Sequence, residues 1–173
     1  MIRLLKILSK VALLLFPVWA FSVEVGDKAP DFQLPNQNGT TSTLNEHAGK
    51  WVILYFYPMD DTPGCTTEAC NFRDATDRIL AKRAVVYGVS VDDIESHKHF
   101  ATKYKLPFSL LADVDGAVSK KYDSFSAFLG WKVAHRNTFI INPDGNIAKK
   151  YIGVDPNTHV QQVLKDLTKL QSN

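Results

Sequence analysis

The stretch Trp51-Val-Ile-Leu-Tyr-Phe-Tyr-Pro-Met-Asp-Asp-Thr-Pro-Gly-Cys65 decides the reading of this chain. Its opening run to Tyr57 is apolar or aromatic without a polar break, which predicts a strand covered on both faces, in the middle of a sheet flanked by helices. Pro58 ends that strand, because proline has no N–H for the ladder and a fixed φ. From Cys65 onward, Ala69, Phe72, Ala75, Ile79 and Leu80 recur at helical spacing and predict a helix over 65–83. One short segment thus delivers a proline corner, the hydroxyl of Thr62 and a thiol to the start of a helix. The only other thiol is Cys70.

Outward from this segment the pattern alternates. Residues 26–35, followed by the turn Asn36-Gln-Asn-Gly-Thr40, predict a short N-terminal β-hairpin. Downstream come a strand over 84–91, a helix over 94–104, a short strand over 108–112 and a short helix over 115–122. The turn Asn142-Pro-Asp-Gly145 predicts a second hairpin between 136–141 and 146–152. A last helix over 156–170 carries Val160, Val163, Leu164, Leu167 and Leu170 on one face. This order implies an α/β domain with a central mixed β-sheet flanked by helices and an N-terminal β-hairpin.

With 173 residues, 45% hydrophobic and 22% charged, the chain suits one well-cored domain. Its N-terminus stands apart: Arg3, Lys6 and Lys10 precede an apolar run from Val11 to Phe21. That run is shorter than the roughly 20 residues a membrane-spanning helix needs, and Pro17 interrupts it. This is a signal-peptide pattern. Residues 1–22 are expected to be removed, by cleavage after Ala20 or after Ser22, leaving residues 23–173 as an exported, periplasmic domain without a stable membrane anchor. Losing the leader takes the formal charge from +2 to −1. A near-neutral domain without a Lys/Arg-rich stripe lacks the footprint of a nucleic-acid binder, and that class is excluded.

The cysteine region has its own chemistry. A thiol at a helix N-terminus faces the positive end of the dipole and unpaired N–H groups, both of which favour the thiolate. Thr62 offers a hydroxyl that both donates and accepts, Pro58 a rigid wall without an N–H, and Gly64 a close backbone approach. Two cysteines in an exported chain most often form a structural disulfide, yet so short a loop removes little chain entropy. His47, His97, His99, His135 and His159 form no ligand cluster with the cysteines in sequence, so no metal is expected. His97 and His99 are expected on a solvated helix.

Pro58-x-x-x-Thr62-x-x-Cys65, the second cysteine at 70 and an arginine, Arg136, opening a later strand together resemble the peroxiredoxins, and within them the Q-type, or bacterioferritin-comigratory, subfamily. The similarity spans essentially all of the chain after the leader, including Val25-Gly-Asp-Lys-Ala-Pro-Asp-Phe32, Pro63-Gly-Cys-Thr-x-x-Ala-Cys70 and the Asn142 turn. The resemblance implies a thioredoxin-like fold and a thiol-dependent peroxidase without a cofactor, reducing hydrogen peroxide and organic hydroperoxides and recycled by a thioredoxin-like dithiol reductant. It implies further that Cys65 is the peroxidatic cysteine, that the N–H groups of Gly64 and Cys65 bind substrate, and that the fixed charge of Arg136 stabilises the developing oxyanion. Glu68 either orients that arginine or merely complements the helix dipole.

Cys70 is expected to resolve the Cys65 sulfenic acid as an intramolecular disulfide. In a helix, residues five apart have Cα atoms roughly 8 to 9 Å apart, beyond the roughly 7 Å a disulfide tolerates, so the turn between them must unwind. Without a later cysteine-bearing arm, a monomer is expected. Residues 124–134 depart from the Q-type pattern: Phe125, Phe128, Leu129 and Trp131 stand there as core or contact residues, or as a cover over the site. The competing enzyme reading is an exported thioredoxin-like thiol–disulfide oxidoreductase. Against it, Cys-x-x-x-x-Cys replaces Cys-x-x-Cys, and disulfide exchange has no use for Pro58 and Thr62.

Overall fold

The computed structural model describes residues 22–172. The leader expected at residues 1–22 therefore lies, apart from Ser22, outside the described residues. Among these, no helix is long and apolar enough to cross a membrane.

The apolar run that starts at Trp51 forms β3 (Trp51–Phe56), after a small antiparallel hairpin of β1 (Gln33–Pro35) and β2 (Thr41–Thr43). Next come α1 (Pro63–Asp74), α2 (Thr76–Leu80), β4 (Ala84–Ser90), α3 (Ile94–Tyr104), β5 (Ser109–Ala112) and α4 (Ala117–Lys121). The chain ends with β6 (Phe125–Phe128), β7 (Trp131–Ala134), β8 (Thr138–Ile141), β9 (Ile147–Tyr151) and α5 (His159–Leu170). The main sheet runs β5-β4-β3-β8-β9, with β3 central as its unbroken apolar sequence requires. β4 pairs with β3 and β5 in parallel, whereas β8 pairs antiparallel with both β3 and β9. The sheet is therefore mixed, as expected.

Alternation along β3 divides the core. Ile53, Tyr55 and Tyr57 face Ala69 and Phe72 of α1, Ile79 of α2, Phe100 of α3 and Val160, Val163 and Leu167 of α5. Val52, Leu54 and Phe56 face Phe32 and Leu34 of the hairpin, Val118 of α4 and Tyr122. Full burial of a side chain such as Phe72 contributes about 1.5–3 kcal/mol. Tyr55 stacks on Phe72 with ring centroids 4.7 Å apart. Its ring has room because its neighbour on β4 is Gly88, where a Cβ would stand 2.7 Å from the tyrosine oxygen.

Three expectations need correction. The helix over 65–83 is two helices, starting at Pro63 and broken at Ala75, where the Thr76 hydroxyl bonds back to the Phe72 carbonyl. Thr67 and Thr168 make the same kind of bond inside unbroken helices, so it accompanies the break without accounting for it. Residues 125–134 form the β6–β7 hairpin, turned by Leu129 and Gly130 with positive φ. Phe128, Leu129 and Trp131 are 75%, 84% and 77% exposed, so they are not core residues. Finally, α3 is not solvated along its whole length: His99 is exposed, but His97 is 0% exposed.

Candidate active site

Topology explains why the cysteine and the arginine meet. β8 runs antiparallel to β3, so the residues that enter β8 lie beside the end of β3, where the chain turns toward α1. The Phe56 N–H donates to the Asn137 carbonyl at 2.8 Å, tying the two ends together. Asn137 is buried; its amide donates to the Ser124 hydroxyl and accepts from the Gly153 N–H, each at 3.0 Å. Arg136, the preceding residue, is thereby aimed at the first turn of α1. Its Nη2 donates to Cys65 Sγ at 3.3 Å and its Nη1 to Glu68 Oε2 at 2.6 Å.

The helix start is built for an unpaired donor pair. Thr62 is the N-cap, with an extended backbone, and Pro63 occupies the first helical position, where a missing N–H is harmless. The Thr66 N–H makes the first helical bond, to the Thr62 carbonyl at 2.9 Å. No acceptor among the described residues takes the N–H of Gly64 or Cys65. Gly64 also leaves space for the guanidinium, since a Cβ there would come 3.2 Å from Arg136 Nη2. Cys65 is buried, Cys70 half-buried, and both are free thiols.

Glu68 shares the buried face of α1 with Cys65, Ala69 and Phe72. It is 0% exposed, and burial pushes its carboxyl up to about 7 against the pull of the Arg136 guanidinium. Desolvation thus outweighs even a short ion pair. Its second oxygen has no hydrogen-bond partner among the described residues, and neither has the buried Tyr55 hydroxyl. His159, at the start of α5, bonds Thr138 Oγ1 at 2.8 Å. Burial, with the Arg136 charge adding, pushes its imidazole down to about 4, so it stays neutral near pH 7.

Of the residues expected from sequence, the structure brings Cys65, Gly64, Glu68 and Arg136 into one cluster. Thr62 is half-buried at the mouth of α1, and its hydroxyl donates to the Met59 carbonyl at 3.0 Å. Its proton is engaged, so toward a ligand it accepts rather than donates. Pro58 is half-buried where the chain leaves β3. Cys70 lies on the intact helix, away from the buried face that holds Cys65.

Sequence reasoning missed Asp60 and His97. Asp60 is buried in the loop between β3 and α1; its Oδ1 accepts from the Tyr57 hydroxyl at 2.7 Å and its Oδ2 from Ser96 Oγ at 2.7 Å. His97 Nδ1 lies 2.8 Å from the same Oδ2. The Asp60 N–H donates to Asp92 Oδ2, which also takes the Ser90 hydroxyl. Asp60, Asp92 and His97 have ligand atoms near enough to one another for a cation. Their facing oxygens already receive protein donors, which suits a hydrogen-bonded clamp better than a metal centre. A signal for His97 existed: it falls in phase with Ile94, Phe100 and Ala101 on the inward face of α3.

Comparison with known proteins bears on the family and the fold. The model of the AhpC/TSA family matches residues 25–150. Peroxiredoxin Bcp of Bacillus subtilis is 39% identical over 150 residues, covering 84% of this chain and 96% of that protein. The chloroplastic peroxiredoxin Q of Arabidopsis thaliana is 43% identical over 150 residues, covering 84% of this chain and 67% of that protein. Among solved structures, peroxidoxin BcpB of Mycobacterium tuberculosis superposes with a TM-score of 0.81 at 32% identity, covering 85% of this chain and 97% of that one. Peroxiredoxin Q of Xanthomonas campestris gives 0.76 at 33%, covering 85% and 96%. The fold is thioredoxin-like, as in these structures.

Proposed function

The chain belongs to the AhpC/TSA family and is a peroxiredoxin, a thiol peroxidase, and from that premise we propose that it reduces hydrogen peroxide and organic hydroperoxides through Cys65, with Cys70 as its resolving partner. The observation that carries the proposal is the guanidinium of Arg136 at 3.3 Å from Cys65 Sγ.

In the first step the Cys65 thiolate attacks one peroxide oxygen in line with the O–O bond. An S–O bond forms, the O–O bond breaks, and the leaving oxygen takes a proton to depart as water or an alcohol, leaving the sulfenic acid. Arg136 holds charge first on sulfur and then on the departing oxygen. The free N–H groups of Gly64 and Cys65 are donors to the peroxide, and such donors in a water-poor site stabilise developing charge strongly. The Thr62 oxygen accepts a hydrogen bond from the peroxide O–H and so aligns the substrate, while Pro58 walls the approach.

In the second step the Cys70 thiol displaces water from the sulfenic acid, giving the Cys65–Cys70 disulfide. Helix geometry forbids this while α1 is intact, so the turn carrying Cys65 and Glu68 must unwind and Glu68 must leave Arg136. A thioredoxin-like dithiol then returns both thiols, itself becoming a disulfide. The leader pattern supports action outside the cytosol, in the periplasm, with electrons supplied there to a monomer. No finding favours the disulfide-exchange reading.

Stopped-flow oxidation of the reduced protein, followed by peptide mapping, tests the scheme. Rapid peroxide consumption lost in Cys65→Ser, with a 65–70 disulfide in the product, is the expected result. Slow consumption that survives the substitution, or a disulfide only between subunits, would overturn it.

A further inference from the structure

The loop between β3 and α1 is a poor candidate for self-support. Met59 and Asp61 are exposed, and Asp61 takes a positive φ of 58° that non-glycine residues seldom adopt. What fixes it is α3. Asp61 pairs with Lys103 at 2.9 Å and lies 3.7 Å from His99. Asp60, the buried residue between them, meets Ser96 and His97. The carboxylate can only accept, so it assigns the imidazole proton to Nδ1.

We propose that His97 is a positioning residue for peroxide reduction: its Nδ1–H holds the Asp60 carboxylate, and through it keeps Thr62 and the first turn of α1 in the geometry that meets the peroxide. The inference rests on the reading of Thr62 and Cys65 as the peroxide site. An ordinary buried histidine would need only a partner somewhere in the core. This one instead sits in a chain of bonds, His97 to Asp60 and Ser96 to Asp60, that ends two residues before the Thr62 oxygen. Asp60 is further tied by its N–H to Asp92 and by its carboxylate to Tyr57. The Thr62 hydroxyl in turn bonds the carbonyl of Met59, the residue before Asp60, so the clamped backbone sets where the hydroxyl points.

The clamp also lies upstream of the turn that must unwind for Cys65 to reach Cys70. It therefore supports the first chemical step and not the second. This separates positioning from general stability, because loosening of the whole domain would alter both steps together.

The test uses the full protein and reads two rates by stopped-flow tryptophan fluorescence: oxidation of Cys65 across a range of hydrogen peroxide concentrations, and the later disulfide step. His97→Leu removes the donor at similar volume, whereas His97→Asn places an amide N–H where Nδ1 stood. His97→Leu is expected to slow oxidation by about 10- to 100-fold, the scale of an ångström-sized misplacement, with the disulfide step changed less than about 3-fold. His97→Asn is expected to remain near wild type. Equal slowing in Leu and Asn variants, equal slowing of both steps, or no slowing in the Leu variant would overturn the proposal. Should His97→Leu fail to fold, Ser96→Ala removes another donor to the same oxygen; a selective slowing of oxidation supports the clamp, and an unchanged rate refutes it. If the wild type itself does not react through Cys65, the peroxide reading fails; wild-type reaction with indifferent His97 and Ser96 variants sinks the clamp alone.

Discussion

Arg136 and Glu68 form an ion pair of 2.6 Å whose carboxylate is wholly shielded from solvent, while the neighbouring nitrogen of the same guanidinium faces the Cys65 sulfur. The planar fork serves two acceptors at once. A lysine ammonium presents one compact charge and cannot reproduce that geometry. Arg136→Lys is therefore expected to reduce the second-order rate with hydrogen peroxide by about 100-fold or more, the scale of losing one oxyanion donor. A rate within a few-fold of wild type would show that the fork is dispensable.

Glu68 makes stability depend on pH. Burial raises its carboxyl from 4.5 to about 7 in the folded protein. Below about pH 4.5 it is protonated whether folded or unfolded, and its contribution is fully present; as pH rises through about 7 that contribution is lost, to the extent of about 3 kcal/mol. His159 works oppositely: its imidazole is depressed from 6.5 to about 4, so stability falls as pH drops from 6.5. Urea melts of wild type and Glu68→Gln from pH 4 to 8 isolate the first effect, because His159 is common to both. The difference between the two curves is expected to change between pH 4.5 and 7; a constant difference would contradict the assignment.

Cys70→Ser should leave the first oxidation intact. The variant is expected to consume one equivalent of peroxide at the wild-type rate and then stall as the sulfenic acid, which only further equivalents of peroxide carry to higher oxides. Mass spectrometry of the oxidised protein reads this directly, and sustained turnover with a dithiol reductant would show that another thiol resolves Cys65.

Thr62→Val removes the oxygen without much change in shape. Peroxide oxidation is expected to slow by about 10- to 100-fold, whereas Thr62→Ser, which keeps the hydroxyl, should lose little. Parallel loss in both variants would assign the effect to the methyl group and its packing.

Legibility in the sequence followed burial. β3 was readable because both its faces are covered, which leaves an unbroken apolar run. The β6–β7 hairpin was not, because Phe128, Leu129 and Trp131 look like core residues in sequence yet point outward. The break between α1 and α2 lies in the backbone of Ala75, at φ −96° and ψ −2°, and apolar spacing runs through it unchanged. In the site, Cys65 and Thr62 were legible from local spacing. Arg136 needed the resemblance, since its approach depends on β8 lying antiparallel beside β3. Asp60 and Asp61 are adjacent loop acids in sequence and both meet α3; what sets Asp60 apart is its burial against Ser96 and His97, which local sequence does not show.

Gly88 bears on the site through packing alone, by way of the Tyr55 ring. A methyl group at that point of β4 would press on the Tyr55 oxygen, and the displaced ring would push Phe72 and tilt the helix that carries Cys65. Reactivity here is levelled from beneath, by a gap in the sheet's upholstery: the smallest possible edit to the scaffold would detune the nucleophile without replacing any residue of the site.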